Sequence, residues 1–216
     1  MHIGIAGNIG SGKTTLTQLL TQAFGWQAHF ESADDNPYLE DFYLNMHRWS
    51  FNLQVYFLTK RFESTQRIRW TAETVVQDRT IYEDAYIFAE NLFHMGCMEY
   101  RDYKAYMELF HMMDTFIKMP DLLIYLRASV PTLMNQIRRR NRSYETGIQS
   151  DYLARLNDRY EQWIDSYRGE IYIVDIDNID FVSRPEDADQ IIRTIGHAAS
   201  MATGALDSQQ QPQQQQ

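Results

Sequence analysis

Residues Gly7 to Thr14 run Gly-Asn-Ile-Gly-Ser-Gly-Lys-Thr, a full match to the phosphate-loop pattern G-x-x-x-x-G-K-[ST]. Such a loop holds a polyphosphate. Gly7, Gly10 and Gly12 open backbone conformations closed to other residues and let the chain come close to a phosphate. Successive N–H groups then form an anion nest, backed by the positive end of a helix dipole. Asn8, Ile9, Ser11 and Thr15 belong to the same cradle. Lys13 adds a mobile positive charge for the outer phosphates, and the Thr14 hydroxyl suits Mg²⁺. The loop specifies a triphosphate and leaves the reaction open, because switches, motors and small-molecule kinases share it.

Other residues narrow the reaction. Phosphoryl transfer needs a metal site, a base near the acceptor hydroxyl, and positive charge over the moving group. Asp78 can hold Mg²⁺ directly or through water. Glu31 can accept a hydroxyl proton, and Arg79 can hold the acceptor oxygen or the phosphoryl group. Arg127 is followed by a cluster, Arg138, Arg139, Arg140 and Arg142, which can close over the phosphates and exclude water. Taken singly, each has a plain structural reading: a solvated glutamate, an ion pair, an exposed helix face.

The elements that must position these groups alternate. Apolar runs predict strands at His2–Ala6, Gln27–Glu31, Thr74–Gln77, Leu122–Leu126 and Ile171–Val174. Helical spacing predicts helices over Thr14–Phe24, about Arg48–Trp70, Asp84–Met95, Tyr100–Lys118, Pro131–Asn141, Ser150–Arg168 and Pro185–Ala199. This alternation implies an α/β fold, a five-stranded parallel sheet with helices on both faces. Ligands of such sheets bind beyond the carboxyl ends of the strands. Glu31, Asp78-Arg79 and Arg127 all fall at such ends.

The 216 residues are 44% hydrophobic and 23% charged, with net charge −9. That is ordinary for one globular domain and argues against a nucleic-acid surface. No apolar run reaches the ~18 residues of a membrane span. One cysteine, Cys97, leaves no intramolecular disulfide and fits a reducing, cytoplasmic setting. Domain organisation is expected as residues 1–200 in one domain, with an arginine-rich lid at about 138–149. From about Met201 a disordered, glutamine-rich tail is expected.

Together these residues resemble the deoxynucleoside kinases, the group holding deoxycytidine, deoxyguanosine and deoxyadenosine kinases. The resemblance covers Met1 to about Ala199 and is nearest to bacterial deoxyadenosine/deoxyguanosine kinases. Its markers are the Asn8-Ile9 pair in the loop, Asn36-Pro37-Tyr38-Leu39-Glu40-Asp41-Phe42-Tyr43, Trp49-Ser50-Phe51-Asn52-Leu53-Gln54, and Asp78-Arg79-Thr80. The resemblance implies a P-loop kinase fold and nucleotide salvage. It implies transfer from ATP with Mg²⁺ to a deoxynucleoside 5′-hydroxyl, with deoxyadenosine expected first, then deoxyguanosine and deoxycytidine. It makes Glu31, Arg79 and Lys13 catalytic. Tyr43 and Glu145 would grip the sugar 3′-hydroxyl, and Gln54, Arg61 and Asp84 would read the base. Arg61 lies two helical turns beyond Gln54, on the same face. Phe88, and less so Phe51, would stack on the base. Arg138, Arg140 and Arg142 would hold ATP with the loop, and Thr14 and Asp78 the metal. The chain departs from the family at Gln136, where an arginine is usual. The donor-base loop would lie near Asp177–Asp180. Family members are usually homodimers.

Two other classes are weighed. A thymidylate-type monophosphate kinase shares the loop, but needs positive charge for the acceptor phosphate where Glu31 and its acidic neighbours stand. A non-catalytic nucleotide-binding protein on the same fold would be expected to have lost loop or base residues, and Lys13, Thr14, Glu31, Asp78 and Arg79 are all present.

Overall fold

The computed structural model describes residues 1–30, 35–142, 145 and 147–209, the last five as backbone. Five strands form one sheet: β1 (His2–Gly7), β2 (Gln27–His29), β3 (Val75–Asp78), β4 (Leu122–Arg127) and β5 (Ile171–Asp175). The order is β2-β3-β1-β4-β5 and every pair is parallel. A parallel sheet is covered on both faces, so its strands are apolar throughout rather than alternating. Accordingly Ile3, Ile5 and Ala6 of β1 and Leu123 and Ile124 of β4 are completely buried.

Register decides which groups meet at the carboxyl edge. Ile5 pairs with Asp78 and Gly7 with Leu126. The end of β3 therefore lies beside the start of the phosphate loop, although the two are about seventy residues apart in sequence.

The helices are α1 (Lys13–Phe24), α2 (Leu39–Leu44), α3 (Met46–Arg69), α4 (Ile81–Glu83), a π-helical stretch (Asp84–Ala89), α5 (Glu90–His94), α6 (Tyr100–Asp114), α7 (Val130–Arg140), α8 (Ser150–Ser166) and α9 (Pro185–Gln209). Helix α1 starts from Gly12 at φ 88° and ends at Gly25, whose N–H caps the Thr21 carbonyl at 3.0 Å. Among the described residues no helix is long and apolar enough to cross a membrane.

Three expectations are corrected. The helix expected from Asp84 to Met95 begins with π-helical geometry instead. A short α2 appears where none was expected; six residues are too few to show a period. The last helix runs to Gln209, so the tail does not begin at Met201. Ala199 and Ala202 bury against the main core, and the Thr203 hydroxyl meets Met1 Sδ at 3.4 Å; this packing continues the helix.

Candidate active site

The phosphate loop is built as its sequence requires. Gly10 and Gly12 sit at φ 85° and 88°, and a Cβ on either would lie within 2.9 Å of Ile137 and Leu133 or of the Phe181 ring. No larger residue fits. Lys13 Nζ donates to the carbonyls of Gly7 and Asn8, at 2.8 and 2.9 Å. The Asn8 side chain does not face the nest. Its amide donates to Leu153 O at 3.0 Å and Asn157 Oδ1 at 2.7 Å, while its oxygen accepts from Ile9 N at 2.7 Å. The family-marking asparagine thus fastens the loop to α8.

Thr14 Oγ1 donates to Asp78 Oδ2 at 2.6 Å. Hydroxyl and carboxylate, one from each half of the site, form a hard oxygen pair. Mg²⁺ takes few protein ligands and completes its octahedron with water and phosphate oxygens, so this donor set fits it.

Directly after Asp78 the chain turns at Arg79, whose φ of 71° is left-handed. For a non-glycine residue this costs about 1–3 kcal/mol and persists only where the surroundings enforce it. The enforcement is visible. Arg79 N donates to Ile5 O at 3.0 Å, and Nη1 donates to Tyr160 Oη at 2.9 Å. The guanidinium lies over the Phe88 ring at 4.5 Å. Glu83, wholly buried, stands 3.5 Å from Nη1.

A cavity of about 310 Å³ opens from the loop toward α2 and α3. Lys13, Thr14 and Arg79 stand at its loop end; Gln54, Arg61 and Asp84 line the far end. Arg61 Nε donates to Asp84 Oδ2, with the two residues 5% and 1% exposed. Gln54 is 2% exposed, and its Oε1 finds no hydrogen-bond partner among the described residues. Tyr43, Phe88, Arg140, Arg142 and Glu145 complete the wall. Arg140 holds Glu145 through two bonds, at 3.1 and 2.5 Å.

A second cleft of about 390 Å³ lies on the opposite side of the loop, against Thr15, Arg139, Asp180 and Phe181. Arg139 and Arg140 line this cleft and Arg138 does not; Arg139 reaches Asp180 at 3.4 Å and Ser183 Oγ at 2.9 Å. One residue along a helix rotates a side chain by about 100°, which separates Arg138 from Arg139. Gln136 lines this cleft too. Phe51 packs on the main core, while Phe57 lines the 310 Å³ cavity. Glu31 lies outside the described residues.

The deoxynucleoside kinase family model matches residues 3–199. The chain belongs to the deoxynucleoside kinase family. The kinase is 39% identical to the deoxyadenosine kinase of Dictyostelium discoideum over 89% of this chain and 78% of that one. It is 41% identical to the deoxyadenosine/deoxycytidine kinase of Bacillus subtilis (strain 168), over 76% of this chain and 77% of that one. Among solved structures, deoxyadenosine kinase from M. mycoides with bound dATP superposes with a TM-score of 0.80 at 28% identity, covering 91% of this chain and all of that one. As a member of this family the kinase is an ATP-dependent phosphotransferase acting on deoxynucleosides.

Sequence reasoning missed Glu83 and Tyr160. Glu83 had a signal: Thr80-Ile81-Tyr82-Glu83 is the T-x-x-E capping box. The kinase uses it, with Thr80 N donating to Glu83 Oε2 at 2.7 Å and the reciprocal bond also present. Tyr160 had none. Burial pushes its hydroxyl far above the usual tyrosine range, with Arg79 opposing and Glu83 reinforcing the shift, so it keeps its proton.

Proposed function

We propose that the kinase transfers the γ-phosphoryl group of ATP to the 5′-hydroxyl of deoxyadenosine in preference to other deoxynucleosides, with deoxyguanosine and deoxycytidine next. The observation that carries the base preference is the end of the 310 Å³ cavity that Gln54 and Asp84 line. Gln54 Oε1 presents an acceptor there with no donor among the described residues, beside the Asp84 carboxylate that Arg61 holds. A buried acceptor without a donor is costly, so the pocket favours a base that brings an exocyclic amino group. Thymine offers one N–H and a methyl group, and fits poorly. The Dictyostelium and Bacillus relatives, both deoxyadenosine kinases by name, point the same way.

In this reading the deoxynucleoside lies with its base between Gln54, Arg61 and Asp84, stacked on Phe88. Tyr43 and Glu145 hold the 3′-hydroxyl, the glutamate oriented by Arg140. The 5′-hydroxyl points toward Arg79 and Glu31. Glu31 takes the proton as the 5′-oxygen bonds to the γ-phosphorus. The bond from that phosphorus to the β,γ-bridging oxygen breaks, and ADP leaves. Arg79, Lys13 and the loop amides of Gly12 through Thr15 stabilise the charge on the phosphoryl oxygens, where most of the catalysis arises. Mg²⁺, held by Thr14 and Asp78, would neutralise phosphate charge. Arg139, Arg140 and Arg142 close over the donor. The exposed Met112 and Phe116 near the end of α6 support a homodimer, and a single buried cysteine supports a cytoplasmic setting.

Changing Glu31 to Gln tests the base directly. Turnover should fall by about three orders of magnitude while the melting temperature stays put. Near-normal turnover in that variant would remove Glu31 from the mechanism.

A further inference from the structure

One buried carboxylate and one buried hydroxyl join the two halves of the site without facing either substrate cavity. Glu83 Oε1 accepts from Gly7 N at 3.2 Å and lies 2.8 Å from Tyr160 Oη. Its other oxygen accepts from Thr80 N at 2.7 Å and Thr80 Oγ1 at 3.2 Å. Tyr160 Oη accepts from Arg79 Nη1 at 2.9 Å, and its single hydrogen serves Gly7 O or Glu83 Oε1, each 2.8 Å away. Both residues are wholly buried. Neither lines the 310 Å³ cavity or the donor-side cleft.

The arrangement has a geometric consequence. Glu83 grips the residue after Arg79, stands against the Arg79 guanidinium and holds the first amide of the phosphate loop. Tyr160 closes the same ring from α8, the helix that follows the lid and already holds Asn8 through Asn157. The left-handed turn at Arg79 carries the guanidinium among groups from other elements. Its position is set by the Phe88 face on one side and by Tyr160 and Glu83 on another.

We propose that Glu83 and Tyr160 are positioning residues for phosphoryl transfer: they lock the Arg79 guanidinium and the Gly7 end of the phosphate loop into one register, so that acceptor oxygen and γ-phosphate meet in line. This rests on the assignment of Arg79 to the transferring group. Misplacing such a group slows the chemical step more than it weakens binding. A merely structural network would instead lower stability and leave turnover alone.

The test is a double-mutant cycle of Tyr160→Phe with Arg79→Lys, measured as kcat and KM for ATP and deoxyadenosine, with melting temperatures alongside. Tyr160→Phe alone should lower kcat about tenfold or more, with both KM values within about threefold of wild type. In the Arg79→Lys background the same change should cost less than about threefold. Equal losses of kcat in both backgrounds would overturn the proposal and leave the role of Arg79 standing. So would a lowered melting temperature with kcat unchanged. Near-wild-type kcat in Arg79→Lys alone would sink the Arg79 assignment and the proposal with it. Should Tyr160→Phe not yield folded protein, Glu83→Gln carries the same comparison.

Discussion

The Arg61–Asp84 pair is buried on both sides, and in the proposed function that burial makes it a device for selection. Removing one partner leaves the other charge in a low-dielectric pocket, at a cost of about 3–5 kcal/mol. Asp84→Asn should therefore lower the free energy of urea unfolding by about 3 kcal/mol. It should also cut kcat/KM for deoxyadenosine about a hundredfold. A variant with unaltered unfolding and unaltered kcat/KM would show that the carboxylate reads nothing. At this scale much of the site was legible. Gln54 and Arg61 came from the family resemblance, with helical spacing putting them on one face, and Asp78-Arg79 came from ending a strand. What stayed hidden was Tyr160, which meets Glu83 across 77 residues of sequence; no local pattern encodes a contact made by the docking of α8. The choice between Arg138 and Arg139 turned on the facing of α7, which adjacent arginines do not reveal.

The strands were the most legible elements, because a strand covered on both faces must be apolar throughout. Four of the five begin at the expected residue and β3 one residue later, while the carboxyl ends moved by one or two residues. The π-helical stretch was invisible, since aromatic and apolar residues from Ile81 to Phe93 satisfy several periods at once. That stretch carries Asp84 and Phe88, in keeping with the tendency of such segments to mark functional sites. The first strand also contains a pH-sensitive group. His2 bonds Gln77 Oε1 at 2.8 Å, and burial lowers its pKa from 6.5 to about 4. In the fold it stays neutral, while in the unfolded chain it protonates near pH 6.5. Between these values the unfolded chain binds more protons, so stability falls as pH drops from 6.5 toward 4. The loss amounts to at most about 3 kcal/mol. His2→Gln should flatten the melting-temperature curve over that window. Parallel curves for variant and wild type would show that His2 contributes nothing to it.

For the molecule as a whole, the parallel sheet explains why distant segments can build one site. Its carboxyl edge gathers the phosphate loop from β1, Asp78 and Arg79 from β3, and Arg140, Arg142 and Glu145 from the end of α7 and just beyond it. The alternation of strands and helices made this edge predictable. The end of the last helix was not, because Ala202 is bland in sequence and acquires meaning only against the core. The central claim concerns what this edge and its cavity select: a 5′-hydroxyl carried by a sugar whose base bears an exocyclic amino group. Steady-state phosphorylation of deoxyadenosine, deoxyguanosine, deoxycytidine and thymidine with ATP and Mg²⁺ tests it most directly. The account predicts the highest kcat/KM for deoxyadenosine, with thymidine lower by about tenfold or more; a preference for thymidine, or no product from any of the four, would contradict it.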